Sequence, residues 1–382
     1  MPVKERLPAL CSRHGNTGAE TCQITLIFVY YMSNPETDTM VTSRARHHER
    51  RKLTEQPPVY TVFDYSADHL EEREVPDEAA CAVYNHNNHI TWINVDGLNA
   101  KDVTRLCEHY EVHPLVVDDI LSLNERAKME ETGNVIHCVL PMMFFNSHRG
   151  EVELEQVTIV LGKNFVLSFQ EEATRDVFDP IRRHLRDASS KIRGRTADYL
   201  CYSLLDLIVD SYFDVLEKLA EKLELLEDEL LIRQTKRQLA RISSLRSDVT
   251  VVRRAVLPVR ELVAHFVRSD NALLEDRHEK YFRDVLDHTI QANDLIDNHR
   301  DMLMNLQDLY MNQINLRMNE VMKIFTMVAT LLAPATVIGG VFGMNFEVIP
   351  LTHQAAGFWV AVAIMFIIPV FMLVYFKRKG WF

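Results

Sequence analysis

The chain has 382 residues, 47% hydrophobic and 25% charged, with 12 Gly and 13 Pro, which excludes a single small module and the disordered and fibrous classes. A formal charge of minus 12, from 42 Lys plus Arg against 54 Asp plus Glu, argues against nucleic acid as a partner, because backbone phosphates require a positive surface. Cys11, Cys22, Cys81, Cys107, Cys138 and Cys201 form no CxxC pair and read as reduced, partly buried thiols rather than a disulfide frame or zinc site.

Residues 1–56 read as an N-terminal extension without sustained periodicity and open to disorder. The apolar run at 24–32 is nine residues long, too short to span a bilayer and at most the apolar part of a signal peptide. Glu5, Glu20 and two cysteines before it argue against that use, and Met32 and Met40 are alternative starts. In residues 57–195, β-rich runs at 59–63, 89–95, 135–145, 152–161 and 165–169 alternate with helical patterns at 100–110 and 114–122. Gly162, Lys163 and Asn164 supply a hairpin turn, and the whole reads as a cytoplasmic α/β domain. It has no phosphate loop, HExxH, GxSxG or dinucleotide fingerprint, so neither a nucleotide nor an enzymatic activity is expected. His86 and His89 flank Asn87 and Asn88 and read as a polar turn rather than a metal site.

Residues 196–320 read as a helical bundle and the start of a stalk helix. The stretch 196–257 carries Leu, Glu, Lys and Arg at helical spacing, and Pro258 is expected to stop or kink it. From Tyr281 no Gly or Pro occurs before Pro334, so one helix over 281–342, about 93 Å at ~1.5 Å per residue, is expected to run from the soluble part into a membrane span. Residues 324–346 contain no charge across 23 positions, or ~35 Å, enough for a ~30 Å hydrocarbon core.

The first transmembrane segment is placed at 321–346, an outer loop at 347–354, a second span at 355–376 and a basic tail at 377–382. The loop lacks Lys and Arg, whereas Lys323 and the cluster Lys377, Arg378 and Lys379 flank the opposite ends. The positive-inside rule then places both termini in the cytoplasm of a multi-pass protein of the cell (inner) membrane, with lipid as partner. After Lys323 only Glu347 and the three terminal basic residues are charged, net plus 2, so the upstream chain carries minus 14 of the total minus 12.

Alternating steps of 3 and 4 along the stalk select Asp284, Asp287, Gln291, Asp294, Asn298, Asp301, Asn305, Asp308, Asn312, Asn315 and Asn319. The window 281–319 holds fifteen Asp, Asn or Gln in 39 positions, so eleven positions should catch about four by chance, yet all eleven are of these types. A solvated face usually mixes in Lys and Glu, which are better helix formers than Asp and Asn. The same stepping continues through Met322, Thr326, Ala329, Ala333, Thr336 and Gly340, a small or weakly polar stripe. Small residues on a span can mean close helix packing. Joined to the polar seam, they read as several copies of one helix around a water-filled axis, with acidic rings to concentrate cations. Two spans cannot enclose a pore, so the chain is expected to oligomerise.

At the end of the first span stand Gly343, Met344 and Asn345, within Val341-Phe342-Gly343-Met344-Asn345-Phe346-Glu347. This resembles the Gly-Met-Asn signature of the CorA family of magnesium and cobalt channels. Further similarity lies in His113-Pro114-Leu115-Val116-Val117-Asp118-Asp119-Ile120, Ala197-Asp198-Tyr199-Leu200, Tyr281-Phe282-Arg283-Asp284 and Asn319-Glu320-Val321-Met322-Lys323. The resemblance covers about residues 59–382. It implies an α+β membrane protein that forms a funnel-shaped homopentamer, with Gly343, Met344 and Asn345 as selectivity filter. It also implies potential-driven Mg2+ influx, with Co2+ or Ni2+ as further cargo. Asn319, Met322, Thr336 and Gly340 would line the pore, and Asp119 and Asp284, with Asp118 sharing the site, would bind regulatory Mg2+ between cytoplasmic domains. The family commonly has Leu at the constriction and Met deeper in the span, where this chain has Phe325 and Ala333. Its outer loop reads Ile349-Pro350-Leu351-Thr352 in place of Met-Pro-Glu-Leu, leaving Glu347 as the only acid for cation capture.

Two other readings stand beside this one. A zinc or proton-coupled transporter of the same superfamily would favour nitrogen or sulfur ligands, which the pore stripe lacks. A membrane-tethered coiled-coil scaffold would require an apolar seam.

Overall fold

Side chains of adjacent strand residues point to opposite faces, and this alternation sorts the central sheet into two cores. The computed structural model describes residues 57–86, 88–123, 125–172, 176–232, 236–344 and 356–380. Seven strands are formed among the described residues: β1 (Val59–Tyr65), β2 (Leu70–Val75), β3 (Ile90–Asp96), β4 (Lys128–Thr132), β5 (Val135–Asn146), β6 (Glu151–Leu161) and β7 (Phe165–Gln170). They lie in the order β2-β1-β3-β7-β6-β5-β4, all neighbours antiparallel except β3 and β7.

Tyr60, Val62, Ile93, Val95, Val160, Leu167 and Phe169 face one core, shared with α1 (Glu78–Cys81), α2 (Ala100–His109) and α3 (Pro114–Leu121). Phe63, Trp92, Ile136, Cys138, Leu140, Ile159 and Val166 face the other, shared with α4 (Asp179–Arg186) and the long helices. Covering both faces explains why β5 reads as an almost unbroken apolar run. The four described cysteines, Cys81, Cys107, Cys138 and Cys201, are buried free thiols.

The expected runs correspond to β1, β3, β5, β6 and β7. The turn between β6 and β7 is closed by Gly162 N–H donating to Phe165 C=O at 2.9 Å. A Cβ at Gly162 would fall 2.3 Å from the Phe165 ring, so the close approach requires glycine. Strands β2, Leu-Glu-Glu-Arg-Glu-Val, and β4, Lys-Met-Glu-Glu-Thr, were not expected. Both are sheet edges, where charge is common because it discourages pairing with another chain.

The second core continues without a break into three helices, α5 (Ala197–Ile232), α6 (Lys236–Arg268) and α7 (Glu279–Phe342). Buried Leu219, Leu223, Leu226 and Leu230 of α5 and Ile242, Leu245, Val249, Val252, Val256 and Val259 of α6 repeat at steps of 3 and 4. That is the spacing of helices packed side by side, and each such side chain contributes about 1.5–3 kcal/mol when buried. Of the two outcomes expected at Pro258, a stop or a kink, the stop does not occur: the helix runs on to Arg268. Proline removes one N–H donor, and buried Val256, Val259, Leu262, Val263 and Phe266 on either side offset that loss.

The start of α7 is tied to the start of α5 by a buried polar pair, Asp198 Oδ2 and His278 Nδ1 at 2.8 Å, and by Glu275 N–H donating to the same oxygen at 2.9 Å. Around it Tyr199, Tyr202 and Tyr281 are in mutual ring contact. Helix α7 spans 64 residues, about 96 Å at ~1.5 Å each. Its C-terminal third pairs with α8 (Gly357–Arg378). Lys323 Nζ reaches Gly380 O at 3.4 Å and Gly339 lies against Met365, so the two helices form a hairpin with its basic residues at one end. Their most apolar windows are only 6% and 11% buried, which distinguishes them from core helices of a soluble protein.

Because both members of the Asp198–His278 pair are buried, Asp198→Ala strands the imidazole and the Glu275 N–H. A loss of about 3–5 kcal/mol is expected, read as a lowered midpoint when the detergent-solubilised protein is unfolded in denaturant.

Candidate functional site

Helix α7 has one dry side and one wet side. Ile296, Leu303, Leu306 and Tyr310 are buried against the bundle. Asp284, Asp287, Gln291, Asp294, Asn298, Asp301, Asn305, Asp308, Asn312, Asn315 and Asn319 are all exposed in the single chain. The stripe above them, Met322, Thr326, Ala329, Ala333, Thr336 and Gly340, is exposed too. Within the span, large apolar side chains such as Val328, Leu332 and Val337 are also uncovered, as expected of a surface that meets lipid. Thr326 and Thr336 donate their hydroxyls to Met322 O and Leu332 O at 2.8 and 3.1 Å, so neither hydroxyl proton is left unsatisfied in an apolar setting.

Gly343 caps α7, its N–H donating to Gly339 O at 2.9 Å. A Cβ there would stand 3.0 Å from that same oxygen, a tight contact. Met344 follows and is exposed. Asn345 and Glu347, the expected filter amide and outer acid, lie outside the described residues.

The cytoplasmic acids differ among themselves. Asp118 is exposed on α3, and Asp119 beside it turns inward. There Lys128 Nζ donates to Asp119 at 2.8 Å and His137 Nε2 lies 3.0 Å away. Burial raises the Asp119 carboxyl, but the bonds from Lys128 and His137 outweigh it and hold the group below the ordinary carboxylate range. Asp119 thus already has a cation within its own chain, and a metal ion bound there would compete with Lys128. Asp284 is exposed on α7, free to face a second chain.

One cluster went unnoticed in the sequence because its members stand on two helices. Asp206 and Asp210 of α5 and His288 of α7 place ligand atoms within 4.8 Å of one another. His288 Nδ1 is 3.2 Å from Asp210 Oδ1 and 4.0 Å from Asp206 Oδ1. Tyr202 donates to Asp206 Oδ2 at 3.2 Å, while the buried Asp206 Oδ1 has no hydrogen-bond partner. Burial, then the neighbouring Asp210, push the Asp206 carboxyl up to about 6, and Asp284 adds to the repulsion. An orphaned carboxylate oxygen among mutually repelling acids suits a cation. The i, i+4 spacing of Asp206 and Asp210 is the only local signal, and it is common on helices.

A mixed-sheet head with helices on both faces, joined by one unbroken helix to a hairpin of uncovered apolar residues, defines a protein that is soluble at one end and membrane-spanning at the other by length and composition. The family model described as CorA-like Mg2+ transporter protein matches residues 87–378. The cobalt/magnesium transport protein CorA of Thermotoga maritima is 40% identical over 321 residues, 84% of this chain and 91% of that protein. The complete structure of the CorA magnesium transporter from Methanocaldococcus jannaschii aligns with a TM-score of 0.72 at 22% identity, covering 85% of this chain and 99% of that one. The ZntB cytoplasmic domain from Vibrio parahaemolyticus aligns at a TM-score of 0.52 with 14% identity, over 68% of this chain and 99% of that one, so the head shares that fold as well. The chain belongs to the CorA-like Mg2+ transporter family.

Because Asp206 is raised from an ordinary 3.8 to about 6, the folded chain holds a proton there that the unfolded chain has already released. Its contribution to stability therefore falls as pH rises from about 4 to about 6. Without divalent cations, Asp206→Asn is expected to flatten this slope and to gain on the order of 2 kcal/mol at pH 7, measured as melting temperature against pH.

Proposed function

We propose that copies of this chain, five as the resemblance implies, assemble around the α7 seam into a cation channel of the cell membrane that carries Mg2+ inward, with Co2+ or Ni2+ as further cargo. The observation that carries the reading is the unbroken stripe on one helix, from Asp284 through Asn319 to Gly340, uncovered along its whole length in the single chain. Placed around an axis, it makes acidic and amide rings below and a small, weakly polar lining above. Phe325, next to the stripe residue Thr326, stands where the resemblance puts the hydrophobic constriction.

At the outer end, Gly343 and Met344 bring the chain to Asn345, whose amide ring is the proposed filter. Magnesium holds six oxygens at ~2.0–2.1 Å and sheds water reluctantly, so neutral amide oxygens can grip its hydration shell without stripping it. Glu347 would gather cations at the mouth. The driving force is the membrane potential: a divalent ion moving to an inside-negative compartment gains about 4.6 kcal/mol per 100 mV, twice the ~2.3 for a single charge. No nucleotide is required. With the basic end of the hairpin inside, the acidic head lies in the cytoplasm.

Regulation follows from the same charges. Asp284, with Asp118 and Asp119 of a neighbouring copy, would bind intracellular Mg2+ between cytoplasmic domains, so that loss of the ion leaves repulsion and loosens the closed state. The Asp206 and Asp210 pair beside Asp284 strengthens that repulsion.

In proteoliposomes under an inside-negative potential, dye-reported Mg2+ influx is expected from the wild type and is expected to be lost in Asn345→Ala. Influx undiminished in the variant removes the filter role, and absence of Mg2+ influx in the wild type alongside zinc flux turns the reading to a zinc transporter. Asp284→Lys is expected to abolish the protection against proteolysis that Mg2+ gives the wild type; unchanged protection removes Asp284 from the regulatory site.

A further inference from the structure

Asp64 lies one residue from the end of β1, opposite Glu71 of β2 and Thr91 of β3. The β1–β2 turn is closed by Ser66 N–H donating to His69 C=O at 2.9 Å, which delivers His69 to the same end of the sheet. His89 immediately precedes β3, whose first residue, Ile90, pairs with Tyr65. Three separate backbone segments thus converge on one carboxylate.

His89 Nδ1 is 2.7 Å from Asp64 Oδ2, and His69 Nε2 is 3.8 Å from that same oxygen. The two rings lie with centroids 4.8 Å apart, and the three candidate ligand atoms all fall within 4.8 Å of one another. The Asp64 side chain is 4% exposed, whereas His69 and His89 are 46% and 38% exposed. The carboxylate is therefore anchored in the sheet, and the imidazoles close over it from the solvent side. Thr91 Oγ1 donates to the other oxygen, Asp64 Oδ1, at 2.9 Å, the kind of outer hydrogen bond that orients a metal-ligating carboxylate.

We propose that Asp64, His69 and His89 form a zinc-type transition-metal site in the soluble head, with three protein ligands and a fourth position left to water. Two imidazole nitrogens and one carboxylate oxygen suit Zn2+, and next Co2+ or Ni2+, whereas Mg2+ prefers an octahedron of oxygens and is a poor competitor. Bonds of ~2.0–2.1 Å in a tetrahedron set the ligand atoms about 3.3 Å apart. The 2.7 Å separation must open and the 3.8 Å one close by roughly half an ångström each, and the two imidazole nitrogens, within 4.8 Å of each other, must reach the same spacing by rotation of two half-exposed rings. The site uses no residue of α7 and does not depend on the channel reading. Occupied, it would pin the β1–β2 turn, and with it edge strand β2, to the start of β3, making the head responsive to a transition metal separately from Mg2+.

The test is a zinc titration of the full-length protein in detergent with excess Mg2+ present, against a chromophoric chelator, comparing wild type with His69→Gln and His89→Gln. The wild type is expected to bind one more Zn2+ per chain than either variant, or the same ion more than about tenfold tighter. Zinc is expected to raise the melting temperature of the wild type and not of the variants. Equal stoichiometry and affinity in all three proteins, or loss of the extra ion to Mg2+, overturns the proposal. Should either variant melt low without metal, the visible spectrum of Co2+ bound to the wild type decides. Bands of a four-coordinate nitrogen and oxygen site that zinc displaces and Mg2+ does not support the proposal, and six-coordinate bands alone overturn it.

Discussion

A helix that offers only Asp, Asn and Gln along one seam cannot bury that seam against a dry partner. Each amide taken from water without a replacement bond costs about 1–3 kcal/mol, and each ionised carboxylate costs more. In α7 the cost is avoided by giving the opposite side to the bundle, where Ile296, Leu303 and Tyr310 are buried, and leaving Asp284 through Asn319 uncovered. Since α7 continues into the first span without interruption, the orientation set by the bundle also fixes which face of the span continues the seam. Soluble packing and membrane orientation are therefore one constraint expressed along one helix.

Charge gives that helix a means of response. The chain upstream of the spans carries minus 14, and part of this is concentrated where α5 meets α7, at Asp206, Asp210 and Asp284. Burial and mutual repulsion raise Asp206 there, whereas Lys128 and His137 lower Asp119 on the far side of the sheet. The first group lacks a sufficient cation and the second already has one. In the proposed channel this leaves uncompensated negative charge beside Asp284.

The long-range plan was legible because it depends on repetition. The uncharged spans, the unbroken α7, the seam and the apolar strands β1, β3, β5, β6 and β7 are periodic over enough residues to be read directly. The edge strands β2 and β4 were missed because their charge, useful against aggregation, hides the period of a strand. The local chemistry of Pro258 predicts a stop or a kink; burial of Val256, Val259 and Leu262 removes the stop and carries the helix onward to Arg268. The clusters were hidden for another reason. His89 read as part of a polar turn with His86, but its partner Asp64 is 25 positions away along the chain, joined through sheet register that a single sequence does not display. Asp206 and His288 meet only once α5 and α7 are packed.

In the proposed channel the α7 seam continues through the membrane as a wetted surface. This is tested most directly by single replacements of Thr326, Ala329, Ala333 and Thr336 by cysteine, beside Val328, Leu332 and Val337, in protein reconstituted into liposomes without Mg2+. A water-soluble thiol reagent is expected to modify the four stripe positions and to spare the other three. Labelling that ignores this division, or that fails at every stripe position, would show that the stripe is not the wetted face.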